Sequence, residues 1–238
     1  PNDPYNVIPT DCPLLNESVP FYMNYDVSES DGSVLAIAGG TNVYYSFDGA
    51  NSMQKITTSS TISGGPRTVH VAGANPYVVY VGSGSGFVSV TQNAQDAPVT
   101  WVKSIKQVGT VSGFVTDAND ASHVWVSISG YGSGNKHFWR STDFGKTWEA
   151  PATNLPDLDA SSIARAPNGN LFLGTTFGVL YSKDNGVTWA PLRDGLPLCQ
   201  VTKLRVRGTG SQWLLATTYG RGMFRININD LPPVVVNS

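Results

Sequence analysis

Charge is scarce in this sequence. Lys, Arg, Asp and Glu together make up 13% of the 238 residues, and the net charge is −2. Glutamate is nearly missing, with only Glu17, Glu29 and Glu149 present. A nucleic-acid-binding surface would show clustered Lys and Arg, so no nucleic-acid partner is expected. No apolar run approaches the length needed to span a bilayer, which argues against membrane insertion. His70, His123 and His137 fall at no metal-ligand spacing and have no Cys beside them, so neither a metal nor another cofactor is expected. Helix signals are almost absent. So are an initiating Met and a signal peptide, and the chain reads as a mature or excised segment of a longer precursor or multidomain protein.

Cysteine is equally sparse. Cys12 and Cys199 lie far apart and can stand as two buried thiols or as a disulfide joining the N-terminal lead to the last unit. Low charge with abundant Ser, Thr, Gly and Asn suits a secreted or cell-surface protein, which favours the disulfide. Asn16-Glu17-Ser18 matches a glycosylation sequon.

What the chain does have is a repeated phrase. Ser141-Thr142-Asp143-Phe144-Gly145-Lys146-Thr147-Trp148 recurs 41 residues later as Ser182-Lys183-Asp184-Asn185-Gly186-Val187-Thr188-Trp189. A period of this size marks an array of small β-units that cannot fold singly. Each copy reads as a hairpin turn. The Asp can accept turn N–H groups, the Gly takes a backbone angle that a Cβ opposes, and the Trp covers the turn. Ser46 to Met53 is a degenerate copy, and Val99-Thr100-Trp101 keeps the closing end after a looser turn through Asn93 and Asp96.

The phrase resembles the Asp-box, or BNR repeat, of sialidases, sortilin-type receptors, xyloglucan-hydrolysing glycoside hydrolases and photosystem II assembly factors. Tyr219-Gly220-Arg221-Gly222-Met223-Phe224-Arg225 is similar to the closing blade of BNR propellers. The resemblance implies an all-β chain, a β-propeller of four-stranded antiparallel blades. It also implies a structural role for Ser141, Asp143, Gly145, Trp148, Ser182, Asp184, Gly186 and Trp189, on the outer, lower rim.

Three regions are expected: an extended lead over 1–17, a propeller over 18–228 and a polar tail over 229–238. The propeller divides into five units, near 18–58, 66–106, 108–154, 157–194 and 202–228, with Val-, Tyr-, Phe-, Ile- and Thr-rich strands between Gly or Asn clusters. The third unit is expected to end in a strand at Thr147–Ala150. The fifth lacks a fourth strand, and the lead, at Tyr5–Pro9, is expected to supply it and close a five-bladed ring.

Pockets in such a fold are expected on the face opposite the Asp-box turns. Its loops would project Tyr131, Lys136, Phe177, Tyr219 and Arg221. Aromatic rings can stack on sugar faces, and Arg or Lys can hold a carboxylate or hydroxyl groups. His137 is a possible base or ligand, although a packed imidazole is the plainer reading for all three histidines. A glycosidase needs two opposed carboxyl groups. Asp157, Asp159 and Asp194 are the candidates, and the first two share one loop. The Arg-Ile-Pro phrase of sialidases is absent, and neither a nucleophile elbow nor a phosphate-binding glycine loop occurs. No catalytic residue is therefore assigned. The expected function is an extracellular, non-catalytic module that binds glycan or protein through the loop face. The alternative is a degenerate or partial glycoside hydrolase of xyloglucanase or sialidase type.

Overall fold

The computed structural model describes residues 23–57, 61–106, 109–132, 134–192, 196–208 and 212–231. Among the described residues, eighteen strands form five antiparallel sheets, each a simple meander. The first holds β1 (Asn24–Val27), β2 (Leu35–Ala38), β3 (Val43–Ser46) and β4 (Gln54–Lys55). The second holds β5 (Pro66–Val71), β6 (Val79–Ser83), β7 (Phe87–Thr91) and β8 (Val102–Lys106). The third holds β9 (Thr110–Thr116), β10 (Val124–Ser129) and β11 (Phe138–Ser141). The fourth holds β12 (Ala160–Arg165), β13 (Leu171–Thr175), β14 (Gly178–Ser182) and β15 (Ala190–Leu192). The fifth holds β16 (Val201–Arg207), β17 (Trp213–Thr218) and β18 (Gly222–Asn227), and a short 3-10 turn at Ile228–Asp230 follows it.

The sheets stack in series because their strands are apolar on both faces. The middle strands β6, β10 and β13 are buried almost end to end. One hydrophobic cluster joins sheets one and two, and others join two and three, three and four, and four and five. Small residues let the sheets approach closely. A Cβ on Gly174 of β13 would meet the Val201 side chain of the next sheet at 2.7 Å. Buried tyrosines add polar pins between neighbours: the Tyr45 hydroxyl donates to the Pro76 carbonyl (3.1 Å), and Tyr80 to that of Ala121 (2.7 Å). Both hydroxyls would otherwise lose water without replacement.

The first strand of each sheet is innermost. β1, β5, β9, β12 and β16 touch in that order. Residues from all five line one hollow, and Arg205 of β16 reaches Asp26 of β1, with Nη2 to Oδ1 at 3.3 Å. Sheets that radiate from a shared axis in this way make a β-propeller.

One element departs from expectation. Thr147–Ala150 does not form a fourth strand in the third sheet, where only Glu149 bridges Arg140. Downstream of Pro151 the chain bonds instead to the fourth sheet. The Thr153 N–H donates to the Val187 carbonyl, and the Asn154 side chain pairs with both backbone groups of Trp189. The third sheet is therefore three-stranded. The expected closing strand at Tyr5–Pro9 lies outside the described residues.

Candidate functional site

Within each sheet the first and third strands run parallel, since both oppose the second. The turns after the third strands thus lie on the side where the innermost strands end. The loops between second and third strands lie on the other side. These two ends of the propeller have different chemistry.

The Asp-box turns stand on the first side. The Ser141 hydroxyl donates to Asp143 Oδ1 (2.7 Å) and accepts the Gly145 N–H (2.9 Å), while Thr147 donates its N–H and hydroxyl to the Asp143 carboxylate. Ser182, Asp184, Gly186 and Thr188 repeat the arrangement. Phe144 and Gly145, like Asn185 and Gly186, are both left-handed, and a Cβ on Gly186 would collide with the Phe138 ring. Burial opposes ionisation of Asp143, but the Thr147 and Ser141 donors outweigh it and hold the carboxyl down at about 2. The same balance lowers Asp184. The indole N–H groups of Trp148 and Trp189 donate to the carbonyls of Gly145 and Gly186. Trp148 also reaches Ser104 of the preceding sheet, and Trp189 meets Phe138 edge-on at 5.1 Å. Each box therefore binds its own sheet to the one before it.

Two degenerate turns share this network. Asp48 takes the Ser46 and Ser52 donors, with Ala50 left-handed at the place of Gly145. In the second sheet Asn93 fills the role of the Asp. Its Oδ1 accepts from the Thr91 hydroxyl and from both the N–H and hydroxyl of Thr100. The sequence had shown only the closing end there, because three extra residues separate Asn93 from its partner.

The loop side carries the five residues expected to face a ligand. Tyr131, Phe177 and Tyr219 are 62%, 61% and 77% exposed, and Lys136 and Arg221 are exposed as well. The three rings occupy the same loop in three consecutive sheets, between β10 and β11, β13 and β14, and β17 and β18. The Tyr131 hydroxyl lies 2.8 Å from that of Thr176, which sets two of the rings on neighbouring loops. Two carboxylates brace this surface. Asp159 accepts the Gly130 N–H (2.7 Å), and Asp157 accepts the Gly132 N–H (3.1 Å) and lies 2.8 Å from His137 Nε2. His137 is buried, with Nδ1 against the Ile128 carbonyl. Its ring is packed between two acceptors and does not face the surface. Asp194 and Cys12 lie outside the described residues; Cys199 is half-buried.

Two large hollows among the described residues lie on the opposite face to the one expected from sequence. A cavity of about 560 Å³, continuous with one of about 540 Å³, opens where the innermost strands end, on the Asp-box side. A further small hollow of about 10 Å³ lies among Thr68, Gly113, Phe114, Ser162 and Ile163. Asp26, 8% exposed, anchors the larger cavity. Its Oδ2 accepts the Val71 N–H and lies 2.7 Å from His70 Nδ1, and its Oδ1 pairs with Arg205. Burial opposes ionisation of Asp26, but His70, Arg205 and the Val71 N–H together lower its pKa. His70 Nε2 meets the Thr116 hydroxyl at 3.1 Å, completing a link across three sheets. Lys203, Arg205 and Arg207 alternate along β16, so all three face the channel while Leu204 packs into the core. That alternation is visible in the sequence as Lys203-Leu204-Arg205-Val206-Arg207 and was the available signal for this mouth.

Fold and turn together define an Asp-box β-propeller. A family model for the BNR/Asp-box repeat matches residues 139–150, the end of β11 and its turn. No curated protein sequence matches the chain. Among solved structures, the chain is similar to a GH74 enzyme of Niastella koreensis, at 15% identity and TM-score 0.65, over 90% of this chain and 31% of that one. It is similar to the GH74 xyloglucanase of Xanthomonas campestris, at 13% identity and TM-score 0.57, over 86% and 38%. It is also similar to YCF48 bound to a D1 peptide, at 12% identity and TM-score 0.58, over 90% and 70%. The chain spans about a third of the length of the GH74 enzymes. At these identities the likeness is one of fold.

Proposed function

We propose that this chain is a non-catalytic propeller module that binds an extracellular glycan through its loop face. The observation that carries the reading is the row of Tyr131, Phe177 and Tyr219, exposed at one loop position in three successive sheets. Exposed aromatic rings of this kind suit the apolar faces of sugars, and Lys136 and Arg221 stand beside them for hydroxyl or carboxylate groups. The likeness to GH74 enzymes lends the carbohydrate reading support. The hydrolase alternative has less, because Asp157 and Asp159 are engaged by the backbone N–H groups of Gly132 and Gly130 in the β10–β11 loop. A protein ligand is the second reading, favoured by the similar propeller that holds a peptide. We take the module to be a five-bladed ring whose seam lies between β16 and β1, where Arg205 pairs with Asp26.

A glycan-array screen with Arg221→Ala and Phe177→Ala alongside tests this. Binding that either change abolishes, with the melting temperature retained, is the expected result. Failure of every glycan to bind would overturn the carbohydrate reading and favour a protein ligand.

A further inference from the structure

We propose that the wide channel mouth at the ends of the innermost strands binds a small polyanion, whose carboxylate or phosphate oxygens are held by Lys203, Arg205 and Arg207. This site lies on the Asp-box side, away from the aromatic loops, and does not depend on the glycan reading.

The charge is local. The protein is net acidic, with 15 Lys and Arg against 17 Asp and Glu, yet Arg165, Lys203, Arg205 and Arg207 converge on one cavity. Two carboxylates line it. Asp26 is already engaged by His70, Arg205 and the Val71 N–H, and Glu29 is exposed. Arg165 is held by Asp117 (2.8 Å) and stacks over Trp125 at 4.7 Å. Lys203 differs from both paired arginines. It is half-buried, and among the described residues no hydrogen bond or ion pair engages its ammonium group.

Such a group is costly to leave unpaired. Burial lowers the Lys203 pKa and the neighbouring Arg205 lowers it further, against a smaller opposing pull from Asp26. An anion in the cavity would offset both unfavourable effects by direct attraction to the ammonium group. Arg205 spends one edge of its guanidinium on Asp26 and keeps other donors for a ligand. Arg207 is exposed and completes the row. The hollow of about 560 Å³ suits a small ligand with more than one acidic group.

The test is calorimetric titration of the whole chain with citrate and, separately, with inorganic pyrophosphate. Saturable one-to-one binding of at least one probe is expected, weakening sharply between low salt and about 0.5 M salt. Citrate alone would mark a carboxylate site, and pyrophosphate alone a phosphate site. Lys203→Met and Arg207→Gln should each weaken binding by about tenfold or more, while Lys55→Gln, at an exposed position of the outer strand β4, leaves it unchanged. Should Lys203→Met fail to fold, Arg207→Gln carries the test, since that exposed side chain has no partner to lose among the described residues. No saturable binding of either probe, or binding retained when the β16 cations are replaced, would overturn the proposal. Glycan binding unaffected by these changes would leave the loop-face reading intact.

Discussion

At the scale of single residues, the Asp-box turns depend on two left-handed positions and one carboxylate. Ala50 takes a φ of +69° where the full boxes have glycine. A Cβ opposes that conformation, and glycine also has more freedom to lose on folding, so Ala50→Gly should stabilise by a net of about 0.5–1 kcal/mol. Thermal unfolding should then shift upward by about 2–3 °C; a lower midpoint would contradict the strain argument. Asp143 gives a pH prediction. Its folded pKa of about 2 lies below the ordinary 3.8. The stabilisation is therefore fully present above about pH 4 and is lost as pH falls through about 2. Asp143→Asn should flatten the acid limb of denaturant-measured stability in that window, and an unchanged limb would show that other carboxylates set it.

At the scale of strands and sheets, close approach decides the packing. Gly174 lies against Val201, so Gly174→Val should cost about 1–3 kcal/mol through displacement of β16. Chemical denaturation would measure it, and a neutral result would mean that the fourth and fifth sheets can separate freely. The third sheet shows where local reading ends. Thr147–Ala150 has strand-forming residues, yet Thr153 and Asn154 gain hydrogen bonds from the next sheet and draw the chain away. The turn through Asn93 was legible, but the place of Asn93 as the stand-in for the Asp was hidden for a similar reason. Its partner Thr100 is seven residues on, where Asp143 finds Thr147 four residues on. A motif defined by spacing misses a turn defined by hydrogen bonds.

At the scale of the whole molecule, stability should follow the stacking. The second, third and fourth sheets each share apolar clusters with a sheet on either side, whereas the described clusters join the first and fifth to one neighbour each. Between those two stands the Asp26–Arg205 pair. Hydrogen exchange should accordingly be slowest in β6, β10 and β13 and faster in β1 and β18, because local opening costs least where few apolar contacts are lost. Uniform protection would point to a seam as well packed as the other interfaces.

The repeat, the turn chemistry and the strand pattern were legible in the sequence because they rest on neighbours along the chain. Ser141, Asp143, Gly145 and Trp148 lie within eight residues, and alternation marks β16 without reference to any other strand. The exposure of Tyr131, Phe177 and Tyr219 followed from their place between strands, read with the propeller topology that the Asp-box resemblance implies. Tertiary structure decided what those elements meet. Asp26, His70, Thr116 and Arg205 come from four sheets and converge only because the sheets share an axis. The hollow on the Asp-box side arises for the same reason: the width of a channel depends on how side chains from five separate strands fill a common space, and no local pattern encodes that distance.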